Sequence, residues 1–432
     1  MADQHLRKSL TPALLWGLGV GYVISGMYFG WNLGLEKGGT LGMGLATMVV
    51  IIMYACFSFS YTELACAIPK AGGVYDYAEK AFRKDIGFIA GLAQIIEFVF
   101  APPAIAIAIG AYFHLAFPQV SIEAAALIVY VMFTALNIYG IKAAASFELA
   151  VTLLAVGELI LFCSLTLPHF SLAHFTANPL PRGMGGAFAA LPFAIWFFLG
   201  IEGVANVAEE TLHPQKDILK GFGWAFITLV ILCLLVFTAS VGINGWESIV
   251  YAKDGSSSDS PLPLALGHLF ASDHLFYRLL IGIGLFGLIA SFHGLLLASG
   301  RATFEFGKIG NAPAFLGKVH PRFQTPANAL LFNSILGVII LFTGKTAEII
   351  IISVFGAVTL YIISMLSVIR LRKSSPEMER PFRVPGYPLT PIIALVLAIM
   401  CMIALCYYNA VLALAYLGIL LFFFLIFKWL KK

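Results

Sequence analysis

Trp196-Phe-Phe-Leu-Gly-Ile-Glu-Gly-Val-Ala-Asn-Val-Ala-Glu-Glu210 sets an acid, Glu202, between Gly200 and Gly203 in the middle of an apolar run that begins near Gly186. Backbone groups released from a helix inside a bilayer cost several kcal/mol each unless protein, water or a ligand satisfies them. Two glycines beside a carboxylate at that depth predict a helix interrupted where something polar comes to sit. The stretch reads as half of a solute-binding site.

The surrounding chain is suited to a membrane. Its 432 residues are 60% hydrophobic and 11% charged, with mean hydropathy +0.93, against about 25% charged for a soluble domain. Apolar runs of about 20 residues, enough to cross roughly 30 Å of hydrocarbon, fall at 12–35, 41–66, 86–114, 121–140, 146–167, 187–208, 222–243, 277–304, 327–343, 347–370, 388–408 and 410–429. Cytoplasmic loops carry the excess of Lys and Arg. With the N-terminus inside, Arg7, Lys8, Lys70, Lys80, Arg83, Lys84, Arg370, Arg372 and Lys373 lie inside, and Lys37, Arg182, Lys253, Arg278 and Lys345 outside. An even number of spans returns Lys431 and Lys432 to the cytoplasm. The basic excess follows from topology and requires no nucleic-acid partner. No cleavable signal is visible. The six cysteines lie in or at the ends of apolar spans without metal or redox spacing, as packing residues do.

The first span, Leu18-Gly-Val-Gly-Tyr-Val-Ile-Ser-Gly-Met-Tyr-Phe-Gly30, holds four glycines and Ser25. Small residues on one face also serve close helix packing. The Gly200/Gly203 interruption, however, recurs five spans later at the corresponding place of a second half. Such a matched pair points to an inverted-repeat transporter with a site at mid-membrane. The expected architecture is all-α, with twelve transmembrane helices, a 5+5 inverted repeat and broken helices 1 and 6. The core spans 1–374, as repeats 12–167 and 187–374, and 375–432 forms a cytoplasmic linker and accessory helices 11 and 12. Those last helices carry no charge in their interiors and suit scaffold or homodimer contacts.

Ionisable groups inside spans mark solute or ion pathways by default. Gln94, Glu97 and Ala101 share one helical face, with Pro102 and Pro103 expected to bend the helix beyond them. Glu97 therefore faces the interior or a wet cavity. Glu202 combines an acid with a helix break. Glu148 and Glu158 in the fifth span are weaker candidates, each readable as a satisfied structural carboxyl. His293 would suit a proton relay, although a lone membrane histidine also serves packing. Glu209, Glu210 and Arg301 fall at cytoplasmic ends, as gate or structural ion pairs. The 244–273 segment is the longest outside loop.

Further motifs carry a resemblance. Tyr61-Thr-Glu-Leu-Ala-Cys-Ala-Ile-Pro-Lys-Ala-Gly-Gly-Val-Tyr75, Asn137-Ile-Tyr-Gly-Ile-Lys142, Phe198 to Glu210 with Pro214, Ser299-Gly-Arg through Pro313, His320-Pro-Arg-Phe-Gln-Thr-Pro326 and Arg380-Pro-Phe-Arg-Val-Pro-Gly-Tyr-Pro388 occur in the order found in the amino acid/polyamine/organocation (APC) superfamily, which the chain resembles from first span to eleventh. Within it, Asn32-Leu-Gly-Leu-Glu-Lys-Gly-Gly39, Gln94-Ile-Ile-Glu-Phe-Val-Phe-Ala-Pro-Pro103 and Ile201 to Glu210 look most like bacterial ethanolamine permeases. The resemblance implies that a Glu at the place of Glu202 takes part in proton coupling or substrate release. It implies that an aromatic at the place of Trp196 stacks on substrate, and that the outer loop forms a lid. Some proton-coupled relatives carry a fifth-span lysine near the place of Ala155; this chain has none, and Glu158 lies one turn away. First-helix N–H groups that hold an amino acid's carboxylate in relatives belong to a Gly-Ser-Gly; here the sequence is Ile24-Ser25-Gly26-Met27.

Glu97 and Glu202 face no Lys or Arg in any span interior, so the site is expected to favour a cation or take up protons. The reading that follows is a permease for ethanolamine or a similar small amine, working by alternating access and coupled to protons, with sodium as the alternative ion. Glu97 would pair with the ammonium, assisted by Gln94, while Trp196 and Tyr22 close by cation–π contact. Ser25, Asn206 and backbone exposed at Gly26 and Gly200 would take the hydroxyl. Glu202, Glu158 and His293 would serve proton coupling. A permease or exchanger of neutral or cationic amino acids is the nearby alternative, and a non-transporting amine sensor a distant one. No cofactor is expected, and no metal cluster, nucleophile elbow or phosphate loop of an enzyme is found.

Overall fold

The computed structural model describes residues 10–70, 72–139, 144–252 and 254–430. Arg7, Lys8, Lys142, Lys253, Lys431 and Lys432, which carry part of the charge asymmetry, lie outside them, as does the side chain of Glu209. Among the described residues, extended pairing is limited to the isolated bridges Leu10–Thr211 and Tyr251–Ser257, and the rest is helix and turn.

Among the described residues, ten helices are long and apolar enough to cross a membrane, and Pro12–Tyr28 and Ala327–Leu341 are shorter apolar helices. In chain order they are α1 (Pro12–Tyr28, in two pieces), α2 (Asn32–Ala67), α3 (Lys84–Ala116), α4 (Ile122–Tyr139), α5 (Ala144–Thr166), α6 (Gly183–Trp196 and the 3-10 stretch Ile201–Glu210), α7 (Pro214–Asn244), α8 (Leu275–Lys308), α9 (Ala327–Leu341), α10 (Thr346–Ser374), α11 (Leu389–Tyr408) and α12 (Ala410–Leu430). Starts follow local chemistry. Thr11 caps α1, its hydroxyl accepting from Leu14 N at 3.4 Å with Pro12 in the first turn, where a missing N–H costs nothing. Pro214 opens α7 likewise, and Asp217 accepts from His213 N at 3.1 Å.

The packing partners exchange between halves: α1 lies on α7 and α6 on α2, while α3 packs on α10 and α8 on α5. The central pair, α3 and α8, lie against each other. The expected bend at Pro102 and Pro103 leaves α3 a single helix from Lys84 to Ala116.

Both expected interruptions exist, but the first differs in place. Ile24 keeps helical dihedrals (φ −60°, ψ −23°), and α1 loses helical backbone at Phe29 (φ −160°, ψ 172°) and Gly30 (φ 86°). At Ser25 the ladder is spliced rather than opened. Ser25 N donates to Ser291 Oγ at 2.8 Å, and that hydroxyl donates to Gly21 O at 2.6 Å. A hydroxyl on α8 thus supplies the bond that Gly21 and Ser25 do not make to each other, so bulky residues at Ile24 and Met27 are tolerated. In α6 the chain turns at Gly200 in the left-handed region (φ 96°) and continues as a 3-10 helix of 10 residues, beyond the usual three or four. The two breaks touch: a Cβ on Gly26 would collide with the Trp196 carbonyl.

The chain ends of α1 and α6 are tied at one face of the bundle, here termed the basic end. Leu10 N donates to Glu210 O and Leu212 N to Leu10 O, both at 3.0 Å, and Arg301 on α8 lies 2.9 Å from Glu210. There too Glu63, at the foot of α2, accepts from Arg372 Nε and Nη2 at 2.7 Å each and from Val384 N at 2.7 Å, which locks the 375–388 linker under α2. At the opposite end the long loop folds over the start of α2, with Asn32 Nδ2 donating to Ser258 O at 2.8 Å. Asp259 on this loop accepts from Thr346 Oγ1 at 3.1 Å at the start of α10.

Ser291→Ala should leave the Gly21 carbonyl and Ser25 N–H unpaired and lower stability by about 1–3 kcal/mol, with Ser291→Thr milder. An alanine protein as resistant to thermal inactivation in detergent as the wild type would refute the splice. Burial pushes the Asp259 carboxyl up to about 6. A carboxyl raised by docking favours the docked loop most at pH values below its free value, and that contribution is lost as pH rises through about 6. Proteolysis of the 254–260 segment should therefore accelerate between about pH 4 and 6 and level off above that, and Asp259→Asn should abolish that dependence. A pH-independent rate in the unmodified protein would refute it.

Candidate functional site

At the break in α6, Glu202 meets Glu97 from α3. Both are fully buried, their carboxyl groups lie within hydrogen-bonding reach of each other, and the backbone of Gly200 sits beside them. Two ionised carboxylates cannot share a site from which water is excluded unless a proton or a cation stands between them. The sequence assigned both acids to one site, and the fold brings their carboxyl groups together.

Phenols complete this site. Tyr361 Oη on α10 donates to Glu202 Oε2 at 3.2 Å, and the Tyr54 hydroxyl on α2 lies 2.7 Å from that of Tyr361. With the Tyr361 proton committed to Glu202, Tyr54 donates to Tyr361, so a two-phenol relay ends on the acid. Phe57 and Phe198 wall the same space, with ring centroids 4.3 Å from Tyr361 and 5.3 Å from Tyr54. Close approach of α10 to α3 at this level depends on Gly356, where a Cβ would overlap the backbone of Ala93 and Glu97. Ser353 Oγ, one turn earlier, donates to Glu97 O at 2.8 Å. Tyr54, Phe57 and Tyr61 stand at i, i+3 and i+7 on α2, one helical face. That aromatic stripe, two of its three rings carrying hydroxyls, was a readable signal, whereas nothing in the sequence linked it to Tyr361.

On the basic side of the acids, Gln94 Nε2 donates to Asn206 Oδ1 at 3.5 Å, bridging α3 to α6. Gln94 also lines a cavity of about 30 Å³ with Tyr75, Asp76, Glu305 and Phe306, room for about one water. Apart from the contact between the two acids, Glu97 Oε1 and Oε2, Glu202 Oε1, the Tyr61 and Tyr77 hydroxyls and Asn206 Nδ2 have no donor or acceptor partner of ordinary geometry among the described residues. Each such buried group costs about 1–3 kcal/mol. Those of Glu97, Glu202 and Tyr61 gather around one acid pair, which marks a place built for a polar solute.

The remaining predicted residues divide. Gly26 lies against the Trp196 carbonyl, and Gly200 makes the left-handed turn of α6 (φ 96°). Ser25 does not face the acids with a free N–H, because Ser291 engages it. Trp196 does not close over them: its Nε1 donates to Phe29 O at 3.1 Å, and its ring meets Phe29 edge-on at 5.5 Å, sealing the opposite end. Tyr22 is wedged against Gly203 and Gly294, with Arg301, Glu148 and Glu210 as its charged neighbours. The aromatic walls expected from Trp196 and Tyr22 are supplied instead by Tyr54 and Phe57 of α2 and Tyr361 of α10. Glu158 accepts from Tyr28 Oη at 2.5 Å, apart from the acid pair. His293 Nδ1 lies 3.0 Å from Glu148 Oε2.

Comparison with known sequences identifies the family of the chain. A family model described as amino acid permease matches residues 14–431. An uncharacterized transporter of Rhizobium meliloti is 27% identical over 405 residues, covering 91% of this chain and 85% of that protein. The branched-chain amino acid permease BcaP and the methylthioribose transporter of Bacillus subtilis are each 26% identical over 417 residues, covering 91% of this chain and 87% of those proteins.

Tyr361→Phe removes the donor to Glu202 and the acceptor of Tyr54 together. It should lower stability by about 1–3 kcal/mol and shift the carboxyl C=O infrared band that Glu202→Gln abolishes. An unmoved band would refute the bond.

Proposed function

Because the chain belongs to the amino acid permease family, we propose that it carries a small primary amine such as ethanolamine across a bacterial cytoplasmic membrane, by alternating access coupled to protons. The observation that carries this reading is the Glu97–Glu202 pair: two carboxyl groups in contact, fully buried, walled by Tyr54, Phe57 and Tyr361. An ammonium between them would neutralise the pair while the rings offer their faces to its charge. Asn206 and the Tyr61 and Tyr77 hydroxyls would take the solute's hydroxyl. Absence of a carboxylate on the solute is supported by α1, where Ser25 N is bonded to Ser291 and Met27 N to Ile24 O at 3.0 Å. Those N–H groups are therefore not offered to an anion.

The basic end would face the cytoplasm, by the distribution of Lys and Arg. The cavity beside Gln94 then lies on the exit side, and the Trp196–Phe29 contact and the loop held by Asn32 close the outside. Glu202 would exchange its proton for the ammonium as the cycle turns. An amino acid cargo is the second reading, favoured by the likeness to BcaP over nearly the whole chain. Likeness to a methylthioribose transporter at the same identity argues that cargo is set by few residues in this group.

Proteoliposomes with an inward proton gradient and no sodium should take up labelled ethanolamine, with excess alanine and arginine failing to compete. Glu97→Gln should weaken ethanolamine binding by tenfold or more, as expected when a charged partner worth roughly 1.5–3 kcal/mol is removed. Uptake of alanine or arginine in its place would replace the amine by an amino acid, and unchanged affinity in Glu97→Gln would remove Glu97 from the ammonium site.

A further inference from the structure

On the membrane face of the bundle, α6 and α11 leave a groove between them. Phe188 on α6 stands across from Val396, Ile399, Ile403 and Tyr407 on α11. Those four are spaced by three and four residues and so share one helical face, on which Ile403 and Tyr407 are 64% and 77% exposed. From 396 to 407 the stripe is about 16 Å long at 1.5 Å per residue, which is half of the roughly 30 Å of hydrocarbon in a bilayer. A volume of about 400 Å³ over that length gives a mean cross-section of about 25 Å² and a width of about 5 Å. A helix with its side chains is about 10–12 Å across. The groove therefore fits one hydrocarbon chain lying along α11 and is too narrow for a helix of another protein.

Polar groups stand at one end of this groove. α11 begins at Leu389, next to the linker locked under α2 at the basic end, and finishes at Tyr408 at the opposite end. There the Tyr408 hydroxyl reaches the first turn of α6, where a Cβ on Gly185 would lie 3.2 Å from it. Arg182 precedes the same turn, with its side chain 57% exposed. Glu36 is shared by two cations, Lys37 at 3.0 Å and Arg182 at 3.9 Å, and Glu247, on the same surface, accepts from Asn178 Nδ2 at 3.2 Å. A guanidinium carries five N–H donors, so one long contact leaves donors on Arg182 for a phosphate. Tyrosines at this depth lie where headgroups meet hydrocarbon.

We propose that the groove binds one phospholipid of the leaflet opposite the basic end, with an acyl chain along α11 and the phosphate on Arg182 and the Tyr408 hydroxyl. An apolar slot one leaflet deep, with a cation and phenols at its mouth, matches the distribution of polarity along such a lipid. The chain fills the space between α11 and the Gly183–Trp196 piece of α6. That piece ends at the Trp196 contact with the Phe29 carbonyl, so the lipid braces the segment that seals this end.

The test uses the full chain, purified in detergent and freed of lipid, with native mass spectrometry to count bound dioleoyl phosphatidylglycerol or dioleoylglycerol, which lacks the phosphate. The wild-type protein should hold one phosphatidylglycerol about tenfold more tightly than dioleoylglycerol, as one charge-assisted contact implies. Ile403→Trp fills the slot from a position that already faces lipid, and should lower phosphatidylglycerol occupancy at least fivefold. Arg182→Gln should remove the preference for phosphatidylglycerol and leave dioleoylglycerol binding as it was. Ile339→Trp, on the exposed face of α9, should bind as the wild type does. Added phosphatidylglycerol should slow thermal inactivation of the wild type and of Ile339→Trp, but not of Ile403→Trp. Equal occupancy in Ile403→Trp and Ile339→Trp would overturn the proposal, by making the bound lipid part of a general annulus. So would a wild-type dimer that Ile403→Trp dissociates, which would seat a second copy of this chain in the groove. Lipid that binds without slowing inactivation would overturn the brace. None of these measurements requires a transported solute, so the lipid site and the amine reading fail separately.

Discussion

The hydroxyl of Ser291 completes a hydrogen-bond ladder that α1 leaves incomplete, and the site depends on that single substitution of side chain for backbone. In hydrocarbon an unpaired carbonyl or N–H costs several kcal/mol, so a membrane helix cannot be opened at mid-depth without a donor and an acceptor brought from elsewhere. Ser291 provides both, accepting from Ser25 and donating to Gly21. Because the donor belongs to α8, the shape of α1 is tied to the placement of α8. Gly26 then lets the backbone of α1 meet that of α6 at Trp196.

From that contact the rest of the site is arranged. The chain of α6 turns at Gly200 and sends Glu202 toward α3, where Glu97 waits one turn above Gln94. Neither acid could sit there alone without a counterion; together they form a place that a proton or an ammonium completes. Tyr361 and Tyr54 hold the outer oxygen of Glu202, and the seal formed by Trp196 on the Phe29 carbonyl separates the acids from the far end. Two buried acid centres result, one beside the Gly200 turn of α6 and one at Glu148–His293, where a Cβ on Gly21 would meet the Glu148 carboxylate. The ends of α1 and α6 are joined through Leu10 and Glu210, so movement of one inner segment moves the other.

The sequence made the membrane architecture legible because the bilayer imposes a length and a polarity on each element. Runs of about 20 apolar residues, the charge asymmetry between them and two glycine-rich interruptions five spans apart are local properties of the chain. Glu97 and Glu202 were legible for the same reason, since an acid inside such a run stands out wherever the run is placed. The break in α1 was drawn at the small residues Ser25 and Gly26, where local propensity puts it. The structure moves the loss of helix to Phe29 and Gly30, since a hydroxyl from α8 repairs the earlier position and no pattern within α1 records that.

What the sequence by itself determined is therefore the set of helices, the depth of each acid and the place of the second break, all of which follow from hydrophobic length, charge and glycine within one segment. Pairing was decided only by tertiary structure. That Glu97 meets Glu202, that Tyr361 rather than Tyr22 joins them, that Trp196 turns to the Phe29 carbonyl and that Glu148 finds His293 are contacts between helices far apart in the chain. Each depends on which faces pack, and in a chain this uniformly apolar the hydrophobic pattern scarcely distinguishes one face from another. The choice falls to a few glycines that allow close approach and to buried polar groups that must find partners, and those requirements are met only once all the helices are in place.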